Sequence, residues 1–560
     1  MGTQVLLVTV LVSALSQSAA SENVVLRNEH LMVTIQKADA PGSLQAIEYR
    51  KAAQTCRFED DRPFSLFVVP AESIHDPKLP VEFAAQGEFR LDGVDAASDS
   101  TRVLFRFQHP LVQVEVNYQL DAQAPVLRKT VVCKAKEKAV YVAGVRQWML
   151  KPIDLSLVWP KSGTFGQPAV LLTEKGGCIL TLEWPRAEVI SENSEITVGY
   201  RPGYPLAPGQ SQEVAAGSVV CFRRSFEKEP LDAARHAFFD HMVARVKPKV
   251  PCPIKFTTWG PWLGQARADR ILEIMDDLAY VGTDIFHFDA GWQWPDQPYS
   301  QRLPSLRDAD AETWDRGMTQ PERLPEGLLP IVKAANQRGI SVSLWFDACG
   351  HVFVRETEKW AARDEKGQPI AGRTWEGRTK TGPVQSLASE YGDRLRAFAL
   401  EALERYKLGG IMFDNNHPRP DYATDHNCLA NGWDSVDVQF RRIMEIFDEC
   451  ERRRPGIYRF FCNAASWPWA LQHVTHIHAG DPGTAPAMMK ALQTDCPARA
   501  LAYERRLAWE RHYDNFVPPW GVKGDVAGWS LQQSSPIGGG RRCNQRQSSG
   551  TLSPPECTAA

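Results

Sequence analysis

Three short apolar runs in the second half of this chain each end in an aspartate, and helix-like stretches separate them. The runs cover residues 284–292, 340–347 and 409–416, and their acids are Asp289, Asp347 and Asp414. An apolar run that ends in an acid is typical of a buried parallel strand with a polar side chain at its rim. One such aspartate would suggest the cap of a following helix. Three of them within about 130 residues predict barrel strands that place their acids around one pocket.

Amphipathic helical patterns alternate with these runs. Apolar residues recur at helical spacing over residues 267–281, 328–338, 391–407 and 436–453. Alternation of strand-like and helix-like segments is typical of βαβ units and a parallel sheet. The stretch 253–530 has a length that suits a (β/α)8 TIM barrel.

Residues 23–245 show a different pattern. Apolar and polar residues alternate over 31–35, 103–107, 112–118 and 178–182, and turn-forming clusters rich in Pro and Gly separate these runs. This pattern predicts an N-terminal antiparallel β-sandwich domain. A helix-like segment over 231–246 and a linker over 246–252 then lead into the barrel. The predicted fold class is therefore multidomain, a β-sandwich followed by a (β/α)8 barrel.

The two ends of the chain differ from the rest in composition. The apolar run 5–15, followed by Ser18-Ala19-Ala20, predicts a signal peptide over residues 1–20 and a secreted or periplasmic protein. A disordered or packed N-terminal segment is the alternative. Residues 531–560 are rich in Ser, Gly, Pro and Arg without an apolar period, which favours a disordered tail.

Charge and cysteine usage narrow the function classes. The net charge is −3 and no basic tract is present, which disfavours a nucleic-acid partner. After residue 20, no continuous apolar stretch approaches the length needed to span a membrane. The 12 cysteines form no C-x-x-C pair, which favours buried thiols over a zinc site, with one or two disulfides if the protein is exported. The 17 tryptophans fit sugar stacking or ordinary core packing.

A further strand-like run, 473–483, leads to Asp481, which is 67 positions after Asp414. A barrel would direct both acids at one pocket. Paired carboxylates are what glycosidic cleavage needs, because one attacks the anomeric carbon and the other protonates the leaving oxygen. A turn before Pro482-Gly483 is the alternative for Asp481, as helix capping is for Asp414 and Asp289. His476 and His478 share a strand face, and without a third ligand they favour a packed pair over a metal site.

In chain order, these segments resemble motifs of the family 36 glycoside hydrolases, the α-galactosidase group of the melibiase clan. Thr258-Trp259 resembles the Trp-bearing first barrel strand of that family, and residues 288–292 resemble its Asp-Asp-Gly-Trp. Residues 344–347, 412–416 and 479–481 resemble its Leu-Trp-Ile-Glu, Lys-Trp-Asp and Thr-Ser-Asp segments. The resemblance spans most of residues 24–530 and is better in the barrel than in the sandwich.

The resemblance implies a retaining α-glycosidase that acts on α-linked glycosides, with α-galactosides as the best single guess. It makes Asp414 the nucleophile and Asp481 the acid/base of a double displacement. The substrate-binding residues that it implies, with Trp259 and Trp292 shaping the sugar pocket, are Trp259, Asp289, Trp292, Asp347 and Asn416. It implies a carbohydrate partner and neither a metal nor an organic cofactor.

Two positions depart from the family pattern. Ala290 stands where the family has its second Asp, and Met412 stands where it has a Lys two residues before the nucleophile. Each change removes a polar contact to a sugar hydroxyl, a loss of about 1–3 kcal/mol. The alternatives are therefore an α-glycosidase of different glycone specificity and a catalytically silent carbohydrate-binding homologue.

Overall fold

The computed structural model describes residues 23–59, 62–79, 89–160, 164–224, 230–246, 253–262, 264–293, 306–349, 358–372, 382–414, 416, 418–462, 468–478, 522–526 and 529–531. The predicted signal peptide over residues 1–20, the linker after residue 246, Asp481 and the tail after residue 531 lie outside these ranges.

The first part of the chain is built from strands. In chain order they are β1 (Val24–Arg27), β2 (Leu31–Ile35), β3 (Leu44–Tyr49), β4 (Gln54–Glu59), β5 (Ser65–Pro70), β6 (Arg90–Ala96), β7 (Arg102–Gln108), β8 (Val112–Leu120), β9 (Val126–Ala135), β10 (Val140–Ile153), β11 (Ser156–Trp159), β12 (Thr164–Phe165), β13 (Ala169–Leu172), β14 (Gly176–Leu182), β15 (Glu188–Glu192), β16 (Glu195–Tyr200), β17 (Tyr204–Leu206) and β18 (Ser211–Arg223).

These strands form two antiparallel sheets. The order in one is β1-β2-β3-β4-β10-β16-β15-β12, with β5 and β17 also paired to β10, and the order in the other is β11-β13-β14-β18-β9-β8-β7-β6. In β2 and β8 every second residue is buried, as in Leu31, Val33 and Ile35. Side chains from both sheets join one apolar core. The N-terminal sheets thus have the organisation predicted for an antiparallel β-sandwich.

Helix α1 (Pro230–Val246) ends this part, and the remaining elements alternate between strands and helices. They are β19 (Lys255–Thr257), α2 (Trp259–Trp262), α3 (Ala268–Glu273), α4 (Met275–Tyr280), β20 (Ile285–Phe288), α5 (Ala311–Met318), α6 (Leu329–Gln337), β21 (Ser341–Asp347), α7 (Glu390–Arg405), β22 (Gly410–Asp414), α8 (Ser435–Arg453), β23 (Tyr458–Phe461), β24 (His476–His478), β25 (Val522–Val526) and β26 (Trp529–Leu531).

The third sheet follows chain order from β19 to β26. Every neighbouring pair from β19 to β25 is parallel, as βαβ units require. The last pair, β25 and β26, is antiparallel, which differs from the eight parallel strands of the predicted (β/α)8 barrel. Only residues 527–528 connect the two strands, and a parallel crossover needs a dozen or more residues, so β26 pairs antiparallel to β25.

This sheet is strongly curved. The Lys255 ammonium of β19 lies 5.0 Å from the ring centroid of Phe460 on β23, four strands away. The His287 ring of β20 lies 6.2 Å from the same ring. At the far end, Cα atoms of β26 come within 8 Å of those of β19. Side chains on the inner face therefore meet across a common interior.

The two faces of the curved sheet carry different residues. The outer face is apolar and joins the helices in one core; its residues include Phe286, Phe288, Val342, Leu344, Phe346, Ile411, Phe413 and Phe461. The alternate positions on the inner face include polar and aromatic residues, among them His287, Ser343, Trp345 and Phe460. Successive side chains on a strand point to opposite faces, so the apolar outer positions fix which residues face inward.

The helices agree with the sequence patterns except in one place. The patterns over 328–338, 391–407 and 436–453 correspond to α6, α7 and α8 within two residues at each end. The pattern over 267–281 corresponds to two helices, because at Ile274 the backbone reaches φ −92° and ψ 0°. None of the described helices is both long and apolar enough to cross a membrane.

Buried polar contacts join the sandwich to the curved sheet. The Tyr141 hydroxyl on β10 donates to the Asp434 carboxylate, which precedes α8. The Trp469 indole donates to the Thr181 hydroxyl on β14 at 2.6 Å. These bonds are satisfied only when the two parts are docked, so they fix how the sandwich sits on the sheet.

Candidate active site

The acids named from the sequence lie at one edge of the curved sheet. Asp347 and Asp414 are Cα partners in the last pair of the β21–β22 ladder, and Asp289 directly follows β20. Because paired residues on parallel strands point to the same face, both ladder acids lie on the inner face. The structure therefore brings Asp289, Asp347 and Asp414 to the carboxyl ends of three adjacent strands. Asp481 lies outside the described residues.

Asp289 is held by β19 and by its own turn. Its Oδ2 accepts from the Thr257 hydroxyl at 3.4 Å and lies 3.4 Å from His287 Nε2. Its Oδ1 accepts from the Ala290 amide at 2.7 Å. The described residues that follow it, 290–293, are not helical, so helix capping does not account for this acid.

The turn after Asp289 requires glycine at one position. Gly291 has φ +104°, and a Cβ there would lie 2.3 Å from the Gly264 carbonyl oxygen. The turn directs Trp292 back into the core, where its indole donates to the Trp345 carbonyl at 2.8 Å and stacks on Phe398. Trp292 is fully buried in this structure, and its contacts are with the strand and helix residues behind the rim.

Asp414 is anchored to the neighbouring strand through two bonds. The Trp345 indole donates to Asp414 Oδ2 at 3.1 Å, and the Ala348 amide donates to the Asp414 carbonyl at 3.0 Å. The carboxylate is half-buried. No helix begins at Asp414, because α8 begins at Ser435, so capping does not explain this acid either.

The two positions that depart from the family pattern lie in one apolar cluster. Ala290 and Met412 pack together with Trp345 and Phe460, and Trp259 packs against them. Ala290 is 1% exposed and Met412 is 3% exposed. The two positions at which the family pattern has polar residues are thus apolar and buried in this chain, next to the acids.

Asp347 and Asn416 make contacts to the backbone. Asp347 is fully buried and its Oδ1 accepts from the Cys349 amide at 3.2 Å. The Asn416 amide nitrogen donates to the carbonyls of Phe413 and Cys462 at 2.8 and 2.7 Å, which clamps β22 to the end of β23. That nitrogen is already engaged, so only the side-chain oxygen of Asn416 remains for other contacts.

Trp259 lies at the start of α2 and not on the first strand, which corrects the position expected from the sequence. The strand ends at Thr257, and α2 begins two residues later at Trp259. Trp259 still packs against the apolar cluster beside the acids.

A polar and aromatic layer lies beneath the acids. His287 Nδ1 is 3.1 Å from Ser343 Oγ, and His476 packs on the Phe460 ring at 5.7 Å. Lys255 is 1% exposed and faces the same ring. Lys255, His287 and Trp345 were not predicted as site residues, although each lies two positions before a polar residue on the same strand face. Over the described ranges, no group of three or more His, Cys, Asp or Glu residues could hold a metal ion.

The loop after β22 contains a buried ion pair whose acid also accepts a hydrogen bond from the loop after β21. Asp421 Oδ2 lies 2.6 Å from His426 Nδ1, and Asp421 Oδ1 accepts from the Arg363 amide at 3.1 Å. Burial lowers the pKa of His426, but the bond and charge of Asp421 outweigh it and raise the pKa. Burial by itself raises the pKa of Asp421, but the hydrogen bond and charge of His426 outweigh burial, so the pKa of Asp421 is lowered. This pair was not predicted from the sequence, because neither residue belongs to a recognisable pattern.

Comparison with known proteins places the chain by its fold. No family model matches the sequence, and no curated protein sequence matches it.

Among solved structures, the α-galactosidase of Lactobacillus brevis is 11% identical, with 82% of this chain and 72% of that chain covered and a TM-score of 0.57. A variant of the GH36 α-galactosidase AgaA of Geobacillus stearothermophilus, in complex with 1-deoxygalactonojirimycin, is 11% identical, with coverages of 81% and 74% and a TM-score of 0.51. A second AgaA variant, in complex with raffinose, is 12% identical with the same coverages and TM-score. The chain thus resembles the family 36 α-galactosidases in fold, as its sequence motifs predicted.

Proposed function

We propose that this protein is a retaining α-glycosidase that hydrolyses α-linked glycosides, with α-galactosides as the first candidates. The observation that carries the proposal is the rim of the curved sheet, where Asp347 and Asp414 pair in register and Asp289 follows the adjacent strand. Acids at the carboxyl ends of successive parallel strands are where barrel enzymes place their chemistry. The raffinose complex of the fold neighbour AgaA adds support from a protein of the same fold.

We propose further that the curved sheet belongs to a closed catalytic barrel spanning residues 253–530, preceded by a sandwich domain spanning residues 23–245. The contacts across the interior and the approach of β26 to β19 support closure. The predicted signal peptide supports a secreted or periplasmic location, which stays part of the proposal.

Asp414 is the proposed nucleophile. In the first step its carboxylate attacks the anomeric carbon, and a glycosyl–enzyme ester forms while the leaving oxygen takes a proton from Asp481. In the second step Asp481 takes a proton from water, and that water displaces Asp414 with net retention. What supports the role of Asp481 is its place in the sequence, three residues after β24, a strand that only β23 separates from β22. Retention requires carboxyl groups about 5–5.5 Å apart.

The remaining residues of the site have two kinds of proposed role. Asp289 and Asp347 bind sugar hydroxyls, and Trp259 borders the sugar. Trp292 and Asn416 serve the substrate site by fixing the strands that carry the acids, as their backbone contacts indicate. The nonpolar cluster around Ala290 and Met412 favours a glycone with fewer polar groups on that side, which keeps α-glycosides other than α-galactosides in the proposal.

The proposal is tested by hydrolysis of a panel of p-nitrophenyl α- and β-glycosides. We expect one α-glycoside to turn over, and we expect Asp414→Ala and Asp481→Ala to reduce kcat to background. Asp277→Ala, an exposed acid on α4, is the matched control and should leave kcat unchanged. If no glycoside turns over while free sugars raise the Tm, the protein is a carbohydrate-binding homologue and the enzymatic proposal is wrong.

A further inference from the structure

We propose that Trp345 is a positioning residue for the candidate nucleophile, and that its indole N–H stabilises the ionised carboxylate of Asp414. This inference rests on the proposed function for its catalytic consequence. The contact itself is a property of the fold and can be tested without substrate.

The strand register places Trp345 next to the acid pair. Trp345 and Met412 are Cα partners two pairs before Asp347 and Asp414, so all four side chains point to the inner face. From this position the indole reaches along β21 toward the rim. Its Nε1 lies 3.1 Å from Asp414 Oδ2, which is hydrogen-bond distance for an N–H donor.

Trp345 is itself held in place. Its carbonyl accepts from the Trp292 indole at 2.8 Å and from the Gln293 amide at 3.4 Å. Its side chain is buried in the apolar cluster that contains Met412 and Phe460. Because the backbone and the ring are both fixed, the N–H points at the carboxylate before any substrate arrives, and little entropy is lost in forming the bond.

Met412 explains why this donor matters in this chain. The position two residues before the acid, on the same face, carries a thioether, which cannot donate a hydrogen bond. The family pattern has a lysine there, whose positive charge would favour the ionised acid. With that cation replaced by Met412, the neutral indole of Trp345 takes over part of the same task. A hydrogen bond to a charged acceptor is stronger than one between neutral groups.

The first test is the variant Trp345→Phe, which keeps a ring and removes the N–H. We expect kcat/KM to fall by about ten- to a hundredfold, the effect of one hydrogen bond to a charged group. The acidic limb of the kcat/KM profile should also move to higher pH, because the carboxylate loses a group that favours its ionised form. Trp314→Phe is the matched control, since Trp314 is equally buried but packs on Phe398 and Tyr406 among the helices. The acidic limb of the kcat/KM profile of Trp314→Phe should stay where it is in wild type.

A rescue variant separates a lost donor from a lost shape. Adding Met412→Lys to Trp345→Phe supplies a cation beside Asp414, so the acidic limb should return toward lower pH. If Trp345→Phe does not fold, Trp345→Met is measured in its place, with a shift in the same direction expected because a thioether cannot donate a hydrogen bond to Asp414.

A second readout needs no turnover. Carbodiimides modify a carboxyl group most readily when it is protonated, and mass spectrometry can follow modification of Asp414 as a function of pH. We expect the midpoint for Asp414 to lie at higher pH in Trp345→Phe than in wild type or Trp314→Phe. Equal midpoints in all three proteins would overturn the inference. A shifted midpoint in a protein that hydrolyses no glycoside would support the contact and show that only the proposed function has failed.

Discussion

Asp347 and Asp414 form the last residue pair of the β21–β22 ladder, so two carboxylates leave adjacent strands at the same level and on the same face. Asp347 is fully buried and bonded to the Cys349 amide, whereas Asp414 is half-buried. The two acids therefore have different surroundings, which is how paired carboxylates take different roles.

Replacing Asp347 with asparagine tests whether it contacts the substrate. Asp347→Asn keeps the oxygen that accepts from Cys349 but removes the charge, so the fold should be retained. We expect kcat/KM to fall by about ten- to a hundredfold, since one charged hydrogen bond to the sugar is weakened. Steady-state kinetics and a thermal melt measure the two effects. An unchanged kcat/KM would mean that Asp347 only braces its turn.

Gly291 allows a prediction with an internal control. Gly291→Ala should destabilise the protein more than Gly282→Ala, although both glycines have positive φ angles, +104° and +76°. An added Cβ at residue 282 meets nothing within 4 Å, whereas at residue 291 it would overlap the Gly264 carbonyl. Gly282→Ala should therefore cost only the backbone strain of about 1–2 kcal/mol. Urea unfolding of both variants gives the comparison, and equal losses would show that the turn at Gly291 adapts.

The Asp421–His426 pair predicts how stability depends on pH. The pKa of His426 is raised in the fold, so its contribution is complete below the unfolded value of about 6.5 and is lost as pH rises through the folded value. The pKa of Asp421 is lowered, so its contribution is complete above about 3.9 and is lost as pH falls through the folded value. The pair therefore stabilises most between about pH 4 and 6.5.

His426→Gln removes one partner of this buried pair and should cost about 3–5 kcal/mol near pH 5.5. The difference in unfolding free energy between wild type and variant should shrink as pH rises through the folded pKa of His426, where the wild-type side chain loses its proton. The groups that face His426 are Asp421, Asp425 and the Lys359 carbonyl. A difference that stays constant from pH 5.5 to 8.5 would show that the ion pair does not titrate with the fold.

The bond between Tyr141 and Asp434 predicts coupling between the sandwich and the curved sheet. Burial raises the pKa of Asp434 to about 6, and the Tyr141 hydroxyl opposes that rise. An acid whose pKa is raised in the fold makes the fold less stable as pH rises from the unfolded to the folded pKa. Asp434 therefore lowers the stability of the fold at neutral pH. Tyr141→Phe should therefore destabilise by about 1.5–3 kcal/mol at pH 7.5, where the acceptor is charged, and by about 1 kcal/mol at pH 5. Chemical unfolding at the two pH values checks this, and equal losses would contradict it.

Much of the fold could be predicted from strand and helix periodicity. The alternating patterns over residues 31–35 and 112–118 correspond to β2 and β8. The apolar runs correspond to strands that end at or next to Asp289, Asp347 and Asp414. These patterns are local, because burial of one strand face or one helix stripe selects residues at fixed spacing. The prediction that most cysteines are buried thiols agrees with the structure, in which the eight described cysteines are buried and not joined in disulfides.

The features that sequence did not predict depend on contacts between distant segments. The break at Ile274, the antiparallel β25–β26 pair and the Asp421–His426 pair are set by packing and connection length, which no short window of sequence contains. Trp345 could have been recognised, because it precedes Asp347 by two positions and so shares its face. Its bond to Asp414 depends on the register of two strands and could not have been derived from sequence alone.

The central claim is that Asp414 forms a covalent bond to the sugar. The most direct test is to incubate the protein with a 2-deoxy-2-fluoro-α-glycosyl fluoride of the sugar that turns over, digest it and map the modified peptide by mass spectrometry. The account predicts a single adduct on Asp414 that is missing from Asp414→Ala. An adduct on another carboxylate, or product of inverted configuration without any adduct, would contradict it.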